Sequence, residues 1–178
     1  FMPHLAEELW HKLGNEESIF KASLPEKLEI DKKAELEEEL IVNVVNDINE
    51  IKRLAKLEKP KKIVLYTASE WKSKLLRLLK ERLSGPNARE AIRIAMSDPE
   101  IKSKGNIAAN IARQFANKFS EFVQRELVDD FAVLSDAKQF LAKTFGCEII
   151  VQKEDRAGYD PKGKAKNALP FKPAIYME

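Results

Sequence analysis

His4, Glu8 and His11 stand at i, i+4 and i+7, a spacing that sets two imidazoles and a carboxylate on one helix face. Zinc takes such ligands, but nothing nearby offers a fourth. The plainer reading is two half-exposed histidines beside an apolar stripe, and no metal site is expected. Gly158-Tyr-Asp-Pro-Lys-Gly163-Lys164-Ala165 nearly spells a phosphate-binding loop. Ala165 replaces the hydroxyl that would hold magnesium there. Pro170 and Pro173 also bar the helix whose N-terminus would face phosphate. A mobile basic loop is expected instead. Cys147 has no histidine in its half of the chain and reads as a buried structural thiol rather than a nucleophile. No carboxylate pair suggests an acid and a base, so no catalytic residue is assigned.

Two stretches suit binding rather than catalysis. From Pro161 to Met177 the chain carries Lys162, Lys164, Lys166 and Lys172 and no acid, with Tyr159, Phe171 and Tyr176 interleaved. Lysines neutralise phosphates, and aromatic faces stack on exposed bases, so this mix suits RNA. The alternative is a basic surface loop with its aromatics turned inward. The second stretch is a helix expected over 105–127. Its stripe is Ile107, Ile111, Phe115, Phe119 and Phe122, and its opposite face holds Asn106, Asn110, Arg113, Asn117, Ser120 and Gln124. Amides and hydroxyls contact sugar, phosphate and base edges, and they equally serve a protein interface or a plain solvated face.

The elements that must position these residues are mostly helical. Helices are expected at 3–13, 32–58, 69–83, 88–97 and about 135–145, with another opening at Asp98-Pro99. Each shows apolar steps of three or four, or a cap residue followed by a helix start. The connector 15–31 contains Pro25, and its Ile19-Phe20 pair is expected to pack back onto the helices. Short β-rich runs at 63–66, 148–151 and 174–177 read as strands. The fold class is therefore α+β, mainly α: a helical bundle segment followed by a small α/β domain with about three strands.

Charge supports a division. The 178 residues carry a formal net charge of +2, which splits into −6 over residues 1–58 and +8 over 59–178. The boundary is set between 58 and 59, and the basic part is the candidate for a polyanion. No apolar run approaches the roughly 20 residues that span a bilayer, and one cysteine cannot form an internal disulfide. A cytoplasmic chain is expected. Helical periodicity already under way at Phe1-Met2 suggests the later part of a longer polypeptide.

Phe1-Met2-Pro3-His4-Leu5-Ala6-Glu7-Glu8-Leu9-Trp10 resembles the Phe-x-Pro-His-x-x-Glu-Glu-x-Trp stretch in the anticodon-binding helical domain of class I aminoacyl-tRNA synthetases for Leu, Ile, Val and Met. Lys61–Tyr66, Trp71 and the ending Pro170-Phe171-Lys172-Pro173-Ala174-Ile175-Tyr176-Met177-Glu178 resemble the C-terminal domain of archaeal-type leucyl-tRNA synthetases. The resemblance implies that residues 1–58 end the helical domain and that 59–178 form the C-terminal tRNA-binding domain. It implies a parent ligase that attaches leucine to tRNA with ATP and magnesium, in catalytic and editing domains lying upstream. It also implies that Ala174, Ile175, Tyr176, Met177 and Glu178 reach the long variable arm of the leucine tRNA, with Lys162, Lys164, Lys166, Phe171 and Lys172 beside them. Arg113 and Asn117 complete the expected RNA contacts. The rivals are the equivalent region of an isoleucyl, valyl or methionyl enzyme, and a helical scaffold that docks other proteins. Deleting Ile175–Glu178 is expected to weaken selectivity for a long variable arm more than overall RNA affinity.

Overall fold

The computed structural model describes residues 2–23, 30–123 and 125–178. Phe1, Pro25 and Gln124, all used above, lie outside the described residues. By contacts the chain divides into two units, Phe1–Asp31 and Lys32–Glu178.

In the first unit, α1 (Pro3–Lys12) starts with Pro at its first position and basic His11 and Lys12 in its last turn, both favoured there. Trp10 is half-buried and donates its indole N–H to the Glu17 carbonyl at 2.8 Å. Glu7 accepts the Ile19 N–H at 3.1 Å and so closes the connector on the helix. The apolar stripe is otherwise open: Leu5, Leu9 and Leu13 are 46, 51 and 79% exposed. Phe20 is also exposed, so only Ile19 of the expected pair turns inward.

The second unit contains all three strands, β1 (Lys62–Thr67), β2 (Glu148–Lys153) and β3 (Ala174–Met177). Their order is β2-β1-β3, with β1 parallel to β2 and antiparallel to β3. The parallel pair needs a long crossover, and helices fill it: α3 (Glu70–Arg82), α4 (Ala88–Ser97), α5 (Pro99–Lys102), α6 (Asn106–Asn117), α7 (Phe119–Val123), α8 (Asp130–Asp136) and α9 (Lys138–Phe145). Caps set their starts. The Asn87 side chain accepts the Arg89 and Glu90 N–H groups, and Asp98 accepts those of Glu100 and Ile101.

The central strand is covered on both faces, which explains its unbroken apolar run. Ile63 and Leu65 pack with Leu40, Val44 and Ile48 of α2 (Lys32–Ala55), and with Val133, Leu134 and Leu141 of α8 and α9. Val64 and Tyr66 pack with Tyr176 and with Ala165 and Ala168 of the loop after β2. Each fully buried aliphatic side chain contributes about 1.5–3 kcal/mol. Because α2 is packed on the sheet, the compact unit begins at Lys32, well before the 58/59 boundary read from charge.

A third apolar cluster joins α3, α4 and α6. The long helix expected over 105–127 is broken at Lys118 into α6 and α7, which brings Phe119 edge-on to Phe122 at 5.7 Å, with Phe115 also 5.7 Å from Phe122. The buried face of α6 is built from Ala108, Ile111, Ala112 and Ala116, while Ile107 is 60% exposed. Small residues at i, i+4 and i+8 let α6 approach Ala91 and Ala95 of α4 closely.

The basic loop is tied to its surroundings by hydrogen bonds. Asp160 accepts the Lys164 and Ala165 N–H groups at 2.8 and 3.0 Å, and the Tyr66 hydroxyl donates to the Tyr159 carbonyl at 2.7 Å. Those two amides, which a phosphate loop would offer to its ligand, are thus held by the carboxylate. Farther along, Lys72 of α3 is fully buried and has three partners: Glu154 at 2.8 Å, the Lys166 carbonyl at 2.8 Å and the Ala168 carbonyl at 2.7 Å. All three ammonium donors are therefore used. Replacing Lys72 with Met leaves Glu154 and two carbonyls without their cation. Loss of one partner of a buried pair costs about 3–5 kcal/mol. Urea denaturation of Lys72→Met is expected to show a loss of that size.

Candidate nucleic-acid interface

The register of β3 sorts the expected RNA-contacting residues into two groups. Met177 pairs with Ile63 and Ala174 with Tyr66, so Glu178 lies at the start of β1 and Phe171 lies past its end. The residues that the sequence reading gathered in one tail therefore occupy opposite ends of the sheet.

At the start of β1 the Glu178 carboxylate accepts the Tyr159 hydroxyl at 2.7 Å and lies 3.9 Å from Lys62 Nζ. Lys62 Nζ sits 5.2 Å from the Tyr159 ring centre, and Lys162 Nζ sits 6.0 Å from that of Tyr176. Lys164 Nζ donates to the Ile175 carbonyl at 3.2 Å. The hydrogen bond to Glu178 pushes the Tyr159 hydroxyl up to about 12, and burial beside Asp160 pushes Tyr66 up to about 12. Both phenols stay protonated as donors at neutral pH. Lys162 and Lys166 are exposed. Ile175 and Tyr176 are not: they are 6 and 8% exposed and belong to the core. Deleting Ile175–Glu178 would strip β3 from the sheet, so its effect on RNA selectivity would be mixed with a loss of fold.

Past the end of β1, residues Leu169–Lys172 form a tight turn closed by paired hydrogen bonds, Lys172 N to Leu169 O at 2.9 Å and Leu169 N to Lys172 O at 3.0 Å. Pro170 takes the position that favours proline. Phe171 follows with φ of 63°, a left-handed conformation usually left to Gly or Asn. Its N–H is held by the Asp130 carboxylate at 2.8 Å, and the Arg125 guanidinium lies 5.7 Å from its ring centre. Arg125 is anchored in turn by Glu39 of α2, and its carbonyl by Lys80 of α3.

Phe171 lines three cavities, of which two have appreciable volume. One, of about 440 Å³, brings Asn117 together with Phe171 and Lys172, and adds Gln114, Phe115 and Phe122. The other, of about 330 Å³, lies at the ends of β1 and β2 between Thr67, Ser73, Arg77, Asp130 and Lys153. Arg113 is exposed on α6 and lines neither. Sequence reasoning missed Arg125, Gln114 and Asp130, whose neighbours at this end of the sheet lie far away in sequence. The one available signal was the Leu-Pro-Phe-Lys turn pattern.

Other candidates are occupied locally. His11 Nδ1 lies 2.7 Å from the Asn15 carbonyl and its Nε2 lies 3.4 Å from Glu7. Among the described residues no three His, Cys, Asp or Glu groups gather as a metal site. Burial pushes the Cys147 thiol up, against the opposing charge of Lys52, which disfavours a thiolate.

Residues 1–67 match the family model for the anticodon-binding domain of tRNA ligases. The chain as a whole is 36% identical to the leucine–tRNA ligase of Pyrococcus abyssi, 39% to that of Methanocaldococcus jannaschii and 38% to that of Methanococcus maripaludis. Those alignments cover 100, 100 and 99% of the chain and 18% of each relative, so the chain spans about a fifth of their length. The whole of this chain is thus similar to one segment of archaeal leucine–tRNA ligases.

Asp130 gives this interface a pH signature. Burial raises its carboxyl from near 3.8 to about 6, opposed by the Phe171 hydrogen bond and aided by Asp129. Its Oδ1 has no partner among the described residues. The folded state then holds the proton more tightly than the unfolded chain. Stability from this group is present below pH 3.8, declines as pH rises, and is gone above about pH 6. The cost of ionisation at neutral pH is roughly 3 kcal/mol. Asp130→Asn retains an acceptor for Phe171 and removes the titration. Its urea midpoint is expected to exceed that of the wild type at pH 7 and to converge with it near pH 4.

Proposed function

We propose that this chain holds tRNA for a leucine–tRNA ligase. The observation that carries the reading is similarity, along the whole of this chain, to about a fifth of the archaeal leucine–tRNA ligases, joined to an anticodon-binding-domain match over residues 1–67. The surface chemistry supports it. Lys162, Lys164 and Lys166 lie along one folded loop for phosphate contacts, and Tyr159 with Glu178 marks the end that would meet the long variable arm. Leucylation, with its ATP and magnesium, would be carried out by catalytic and editing domains elsewhere in the same polypeptide. The open Leu5, Leu9 and Leu13 face of α1 offers those domains apolar contact area. Among the described residues no helix is long and apolar enough to cross a membrane, and the proposed location is the cytoplasm.

Fluorescence anisotropy with a long-arm and a short-arm tRNA, at low and moderate salt, tests the reading. Tighter binding of the long-arm tRNA that persists in added salt is expected. Weak binding of both that vanishes together would instead favour a protein-docking scaffold with an incidental basic surface.

A further inference from the structure

We infer that the cavity between α6, α7 and the Leu169–Lys172 turn receives an unstacked base of RNA, with Phe171 as its platform. This inference rests on the tRNA reading above and adds a base-binding site to it.

The cavity, at about 440 Å³, falls in the range of roughly 300–1,000 Å³ typical of small-molecule sites. Its wall is aromatic where a flat ligand would lie: Phe115, Phe122 and Phe171 all contribute. Stacking on such rings is sequence-tolerant and strong. Gln114 and Asn117 lie one turn apart on α6, both exposed and both lining the cavity. Each amide carries donors and an acceptor, which matches the mixed hydrogen-bonding edge of a base. Lys172 stands at the same cavity, with no ion pair to an acidic side chain among the described residues. Lys118 is partly neutralised by Glu121 at 3.4 Å, so Lys172 is the freer cation for an adjoining phosphate.

The platform is also built. A phenylalanine at φ of 63° is costly and persists only where its surroundings impose it. Here Asp130 holds its N–H, Arg125 lies against its ring, and the two strands of the turn are hydrogen-bonded across it. Arg125 is itself fixed by Glu39. A ring held from three sides in a conformation that Gly or Asn would adopt without strain is retained for the ring. With Lys118 paired to Glu121 and Arg125 to Glu39, the remaining charge of Lys172 favours an anionic aromatic ligand. An RNA nucleotide combines the planar base, the polar edge and the phosphate.

The experiment probes tRNA bound to the 178-residue chain with reagents that modify the Watson–Crick edges of all four bases. The wild type is expected to protect an unpaired base. Phe171→Leu is expected to lose that protection and about tenfold in affinity, with the salt slope unchanged. Lys172→Ala should leave the protection in place and lower the salt slope by about one. Gln114→Leu, on the exposed face of α6, leaves the core untouched and should lose the same protection, so the result does not depend on how well Phe171→Leu folds. Wild-type binding with no base protected, or protection that survives both Phe171→Leu and Gln114→Leu, overturns the inference and leaves the tRNA reading standing. Absence of any tRNA binding overturns both.

Discussion

The Lys72–Glu154 ion pair decides where the second half of the molecule lies. Lys72 projects from α3 into a fully buried site, and its charge there is tolerable only because a carboxylate and two carbonyls meet it. Glu154 directly follows β2 and also takes the Ser69 hydroxyl at 2.8 Å. The carbonyls belong to Lys166 and Ala168, in the loop that covers Val64 and Tyr66. One buried ammonium therefore fixes the exit of β2, the start of α3 and the route of the loop that leads to β3. The positions of Lys162, Lys164 and the 169–172 turn follow from that route.

The segment between that loop and β3 joins two kinds of surface. At one end of the sheet, hydroxyls and ammonium groups surround a terminal carboxylate and suit the outside of a folded RNA. At the other, a ring and two amides line a concave site. The same short peptide contributes to both, so ligands proposed for the two ends would share one support. Contacts with phosphate supply affinity and orientation, and contacts with a base supply discrimination.

Local signals were readable in the sequence. The three strands appear as β-branched or aromatic runs, and Asn87, Asp98 and Pro99 mark helix starts with the hydrogen bonds their side chains make. The α2 stripe was legible at Leu40, Val44 and Ile48, though Leu54 at its end is 68% exposed. Long-range features were not readable. Asp130 lies before the helix expected at about 135–145, in a separate helix that the sequence reading did not expect, and only the fold turns it toward the Phe171 N–H. The break at Lys118 breaks no propensity rule; it follows from aromatic packing among Phe115, Phe119 and Phe122. The tail residues were correctly placed on a strand, but a strand alternates its faces, and that alternation sends Ile175 and Tyr176 into the core.

The placement of β1 has a consequence for synthesis. It is the central strand, apolar on both faces, and its two neighbours are residues 148–153 and 174–177. A growing chain presents Ile63–Tyr66 long before either neighbour exists. Until residue 177 has cleared the ribosome, this strand has an unsatisfied edge and must be shielded by helices that form earlier, or by a chaperone. Completion of the sheet is thus a late, nearly all-or-none step. A product truncated before β3 leaves one β1 edge with unpaired N–H and C=O groups beside exposed apolar side chains, a target a protease can recognise, so the last strand also reports that translation has reached it.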